Sequence, residues 1–132
     1  MSKLIVALLV SVVTASAFAQ DGATKMSRDE LLSFLPGTKV KQITKAGSER
    51  HWTNEADGTL FINTNNKLYG NAMGTQTASH AGTWVVNDKG QYCLDVDWTR
   101  VHEKWCASIL KSQDGAYFLN SADDQHKIEF VK

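Results

Sequence analysis

The sequence predicts a mainly β domain: an antiparallel meander forming a small barrel or two-layer sheet, with one short N-terminal helix. Three observations predict it. After Gly37 short runs rich in β-branched and aromatic residues alternate with turn residues. The single proline, Pro36, precedes all of those runs, so no strand is interrupted by one. Only one stretch, "SRDELLSFLPG", reads as a helix with a start and a stop.

The first residues, "MSKLIVALLVSVVTASAFAQ", carry Lys3, then the apolar run Leu4 to Val13, then Ala17-Phe18-Ala19. That order is the pattern of a secretory signal peptide cleaved after Ala19. The run is shorter than the roughly 20 apolar residues a membrane span needs. The expected mature chain starts at Gln20, keeps 113 of the 132 residues and is periplasmic or secreted. Its formal charge shifts from 0 to −1 with the loss of Lys3. Charges of both signs are mixed along it, which disfavours nucleic-acid binding by a basic surface. No membrane span is expected in the mature chain. Its length suits one domain, residues 27–132, behind a loose leader at 20–26.

In the helical stretch, Ser27 and Glu30 fit a capping box and Pro36-Gly37 a stop, giving a helix over 28–35. Leu31, Leu32, Phe34 and Leu35 form its apolar stripe. The strand runs follow: "TKVKQIT", "RHWTN", "GTLFINT", "NKLYGN", "GTWVVN", "QYCLDVDW", "KWCASILK", "AYFLNS" and "HKIEFVK". Between them lie turn signals such as "EADG", "DKG" and "SQDG". The longest irregular stretch is 73–82, "MGTQTASHAG", expected to be a mobile loop.

The densest chemistry lies in "YCLDVDWTRVHEKWC", residues 92–106. Pairing Cys93 with Cys106 as a hairpin sets Asp95 opposite Lys104 and Asp97 opposite His102, all on one face. On the other face Leu94 meets Trp105 and Trp98 meets Val101. One pair, Val96 with Glu103, is awkward. The register brings the cysteines close enough for a disulfide, which an exported location permits. Closing this loop stabilises the fold by about 3 kcal/mol in the chain-entropy model.

The competing readings are weaker. Zinc sites favour closely spaced cysteine pairs, or two cysteines with two histidines at finger spacing. Both cysteines here are single, so no metal is expected. A cysteine nucleophile needs a free low-pKa thiol. "SILK", 108–111, matches S-x-x-K without the S-D-N and K-T-G partners of penicillin-binding enzymes. No phosphate-cradling or dinucleotide fingerprint is present. The expectation is therefore no catalytic residue and no cofactor. His51, His80, His102 and His126 are scattered. Trp84 shares a strand face with Val86 and is expected in the core. Trp98 and Trp105 either fill the barrel or line a cavity for one small ligand. With Met73 and His80 of the loop, they are the candidate binding residues.

The order "DGTL" (57–60), "AGTWVV" (81–86), "YC" (92–93) and "WC" (105–106) resembles a group of small exported proteobacterial proteins of unknown function. They share a G-T-W strand, a Y-C strand and a later cysteine. The resemblance covers roughly residues 31–120. It implies export, a disulfide and a β-rich fold, and carries over no catalytic residue. The functional expectation is a non-catalytic binding module for an envelope protein or a small apolar ligand. The alternatives are a structural or stress-related envelope protein without a dedicated pocket, and an enzyme whose residues converge from separate strands.

Overall fold

A computed structural model describes residues 22–65 and 78–132. The elements are β1 (Ala23–Lys25), α1 (Arg28–Phe34), β2 (Lys39–Ile43), β3 (Glu49–Thr53), β4 (Thr59–Thr64), β5 (Ala78–Val86), β6 (Tyr92–Asp97), β7 (His102–Ala107), β8 (Ile109–Ser112), β9 (Tyr117–Leu119) and β10 (Lys127–Val131). A 3-10 turn, Asp124–His126, precedes β10. The strands form one antiparallel sheet in the order β1-β8-β9-β10-β2-β3-β4-β5-β6-β7, curled into a half-barrel. β2 to β7 are the expected meander.

The curl follows from the connection between β7 and β8. β7 is one edge of the sheet and β8 sits beside the other. Only Ser108 separates them in the chain. Two residue steps span at most about 7 Å, so the ends of the sheet must approach each other. Ser108 fastens that approach: its carbonyl accepts from the Asn120 N–H at 2.8 Å, and its own N–H donates to Asn120 Oδ1 at 2.9 Å.

Side chains alternate between the concave and outer faces, as strand geometry requires. Leu60, Ile62 and Thr64 of β4 are buried, whereas Thr59, Phe61 and Asn63 are exposed. Tyr92, Leu94 and Val96 of β6 point inward and meet Ala107, Trp105 and Glu103 of β7. Trp52, Trp84 and Val86 join the same core. The expected inward position of Trp84 therefore holds. Gly82 lies where β5 and β6 press together. A Cβ there would stand 2.6 Å from the Asp95 carbonyl oxygen and 2.8 Å from Val96 Cγ2.

Helix α1 closes one end of the half-barrel. The capping box forms: the Glu30 N–H donates to Ser27 Oγ at 3.2 Å, and the Ser27 N–H to Glu30 Oε2 at 3.1 Å. Leu31 and Leu35 are fully buried. Phe34 stacks on Tyr117 at 5.3 Å and meets Phe130 edge-on at 5.6 Å. Leu32, the fourth member of the stripe, is left exposed. The helix ends as Gly37 takes a positive φ and donates its N–H to the Asn54 carbonyl.

Three readings change. Residues 20–26 are not loose throughout: Ala23–Lys25 forms β1, paired with β8 from Ala23↔Ser112 to Lys25↔Leu110. Ala23 is buried there, which supplies the reason for the pairing. Of the expected loop over 73–82, residues 78–82 are strand instead, because β5 begins at Ala78 and its register against β4 runs Thr64↔Ala78 to Thr59↔Thr83; 73–77 lie outside the described residues. His80 is therefore a strand residue. At the β6–β7 tip, pairing stops at Asp97↔His102. Trp98 turns into the core, and Val101, its expected partner, stays exposed. Met73 and the whole run "NKLYGN" (66–71) lie outside the described residues, as do the signal segment and Gln20.

Candidate functional site

Two polar clusters cross the interior. The first lies near α1. Trp52 of β3 donates its indole N–H to Tyr92 Oη at 2.9 Å and to Asn54 Oδ1 at 3.2 Å. The Tyr92 hydroxyl in turn donates to Asn54 Oδ1. Asn54 Nδ2 donates to Thr38 Oγ1 at 2.9 Å, and Thr38 Oγ1 to the Leu35 carbonyl at 2.7 Å. Every member is buried. Burial pushes the Tyr92 phenol well above its ordinary range, against the opposing pull of its bonds to Trp52 and Asn54. The chain of bonds ties β3, β6 and the end of α1 together, and its chemistry is structural.

The second cluster lies toward the opposite end. Arg50 of β3 and Glu103 of β7 form an ion pair at 2.6 Å, with side-chain exposures of 8% and 11%. Three strands separate β3 from β7 in the sheet. The contact therefore spans the concavity rather than running along the sheet. Glu103 also accepts from the indole N–H of Trp105 at 2.7 Å and of Trp98 at 3.3 Å. The Arg50 guanidinium carbon sits 5.8 Å from the Trp52 ring centroid, in cation–π range. The His80 ring is 6.3 Å from that of Trp98.

The awkward pairing of Glu103 with Val96 thus has its explanation. Glu103 faces inward because its partner is Arg50, 53 residues away in the chain. Taking an ion pair out of water costs several kcal/mol per ion and is repaid only by good geometry and further hydrogen bonds. Here two indoles supply those bonds to the carboxylate. Two atoms beside the pair stay unsatisfied: Arg50 Nε and Gln42 Oε1 are buried without a hydrogen-bond partner. Gln42 and Arg50 are direct cross-strand partners on β2 and β3. They share the inward face with Ile128, which pairs with Gln42 from the other side. A buried, unpaired polar atom costs about 1–3 kcal/mol, so two as neighbours mark this as the candidate site.

The outer face carries the rest of the chemistry read in the hairpin. Cys93 and Cys106 are disulfide-bonded, with Cα atoms 4.0 Å apart. The register is the one the sequence implies, Cys93↔Cys106, Asp95↔Lys104 and Asp97↔His102. His102 lies 3.2 Å from Asp95 and 3.7 Å from Asp97, and Lys104 3.9 Å from Asp95. These groups are exposed or half-exposed, so they act as solvated cross-strand pairs.

The histidines do not converge. His51 bonds Glu49 at 2.5 Å on the outside of β3, and His126 bonds Asp123 at 2.6 Å beside the 3-10 turn. Each lowers the pKa of its carboxylate, chiefly through that hydrogen bond. Among the described residues no three His, Cys, Asp or Glu side chains group so as to hold a metal ion. The hydroxyls of Thr59 and Ser112 bond Asp57 and Asp114, two positions away in their turns. Ser108, first residue of the S-x-x-K match, bridges β7 to β8. A surface groove of about 740 Å³ lies outside the barrel between α1, β1 and β8, lined by Met26, Phe34 and Lys111 among others. Of the candidate binding residues, the structure brings Trp98, Trp105 and His80 to the Arg50–Glu103 cluster. Arg50, Glu103 and Gln42 were not legible as site residues. The one available signal was the period-two spacing that sets Arg50 on the face of Trp52.

The chain belongs to a protein family of unknown function, DUF995, whose model matches residues 5–115. No curated protein and no solved structure matches it.

Proposed function

We propose, starting from membership in a family without an assigned activity, that this protein is an exported, non-catalytic module that binds a small, largely apolar ligand. The site is the interior end around Arg50, Glu103, Gln42, Trp98, Trp105 and His80. One observation carries the reading. Arg50 Nε and Gln42 Oε1 are adjacent in register, buried, and without partners. Such atoms are rare in native folds and each calls for a physical reason. A ligand that bonds both supplies one.

Export is supported by the leader at 1–19 and by a disulfide, which persists in an oxidising compartment. The non-catalytic reading is supported by the ion pair itself. Arg50 and Glu103 satisfy each other, and indole donors occupy the carboxylate, so neither is poised for proton transfer. No turnover of ester, β-lactam or peptidoglycan substrates is expected. A purely structural envelope role is the second reading. The Tyr92–Asn54–Thr38 chain favours it, because direct contacts already fill the interior at that level.

The test is thermal melting of the mature, disulfide-bonded protein with the small-molecule fraction of a periplasmic extract. A ligand at a hundred times its Kd stabilises the fold by about 2.7 kcal/mol. The parent's midpoint should rise, and that of Gln42→Leu should rise only about half as much, since a tenfold weaker Kd leaves about 1.4 kcal/mol. Equal rises in both, or none in either, would remove the site from this place.

A further inference from the structure

We infer that the interior site takes a neutral head group that accepts and donates hydrogen bonds side by side, the amide or lactam class, in preference to a carboxylate or an amine. The inference deepens the binding reading and rests on it. Arg50 Nε carries a hydrogen and can only donate, and Gln42 Oε1 can only accept. Their residues are opposite each other on neighbouring strands. A complementary head must therefore present an acceptor and a donor on one edge, as a lactam or a carboxamide does. A carboxylate has no hydrogen for Gln42, and an ammonium has no acceptor for Arg50.

Charge points the same way. The Arg50 guanidinium is paired with Glu103 at 2.6 Å, so the pair is neutral as a unit. The other buried polar side chains among the described residues, Thr38, Asn54 and Thr64, are uncharged. A charged head would enter a low-dielectric interior without a counter-charge. The body of the ligand meets aromatic surface, since the Trp98 indole and the His80 imidazole lie against each other beside the pair.

Three bicyclic probes of similar size separate the head groups: carbostyril, a neutral lactam; naphthoate, an anion; and naphthylmethylammonium, a cation. The isotope-labelled mature protein is titrated at neutral pH while the indole N–H signals of Trp98 and Trp105 are followed. Carbostyril should shift those signals saturably. The charged probes should bind at least about tenfold more weakly. Gln42→Leu, checked for folding by the dispersion of its spectrum, should weaken carbostyril about tenfold, the loss of one hydrogen bond left unmade. A charged probe binding as tightly as the lactam overturns the neutral-head inference and leaves the binding reading standing. Lactam binding that Gln42→Leu leaves unchanged also overturns it, because Gln42 then makes no bond to the head group. If no probe moves the indole signals, the inference falls, and the melting test decides separately whether a ligand of another class is held.

Discussion

Cutting the Arg50–Glu103 pair from each side and then from both should give strongly non-additive losses. Arg50→Met leaves the Glu103 carboxylate buried with two indole donors but no counter-charge. Glu103→Gln leaves a guanidinium with 8% side-chain exposure without its anion. Breaking a buried pair from one side costs about 3–5 kcal/mol. The double variant removes both charges, and the Gln side-chain oxygen still accepts from Trp98 and Trp105. Its cost should therefore fall to about 1–2 kcal/mol, the scale of the packing and hydrogen bonding that remain changed. The double variant is then more stable than either single one, with a coupling energy of several kcal/mol, above the 0.5–3 kcal/mol usual for contacting residues. Urea unfolding of all four proteins measures it, with the m-value checked for constancy. Additive losses would refute the reasoning, since they would mean that the two side chains do not share one desolvated contact across the concavity.

The remaining predictions concern the staple, the leader and acid. Replacing Cys93 and Cys106 together with serine should lower stability by about 2–5 kcal/mol in denaturant unfolding. Intact mass of exported protein should begin at Gln20 and read two hydrogens light; free thiols or another N-terminus would contradict it. Glu49, Asp57, Asp114 and Asp123 all have lowered pKa values, each led by a side-chain hydrogen bond, from His51, Thr59, Ser112 and His126 respectively. A depressed folded pKa gives stability that is present above the unfolded value and lost as pH falls through the folded one. The melting midpoint should therefore begin to lose these contributions only below about pH 5, where unfolded carboxylates begin to bind protons. Their loss already between pH 7 and 5 would place the acid-sensitive groups elsewhere.

Local pattern made much of this fold legible. The capping box of Ser27 and Glu30 is a contact over three residues, and the Cys93–Cys106 register is fixed by alternation within 15 residues. Both formed as read. β1 was missed because three residues, "ATK", carry no period, and only the neighbouring β8 makes them a strand. His80 was read as a loop residue because glycine, serine and threonine around it hide a strand whose order comes from pairing with β4 and β6. The interior site was least legible. Glu103 looked misplaced opposite Val96, since nothing in residues 92–106 accounts for it. Its partner depends on how far the sheet curls, and that is set by the junction at Ser108. Gln42 in "TKVKQIT" reads as an ordinary polar strand residue until the curl turns its face inward.

Native mass spectrometry of protein taken from the periplasm without denaturation tests the binding account most directly. The account predicts the 113-residue disulfide-bonded chain carrying a discrete small-molecule increment, lost on denaturation and carried by a smaller fraction of Gln42→Leu. The bare chain mass alone, from parent and variant alike, would contradict it.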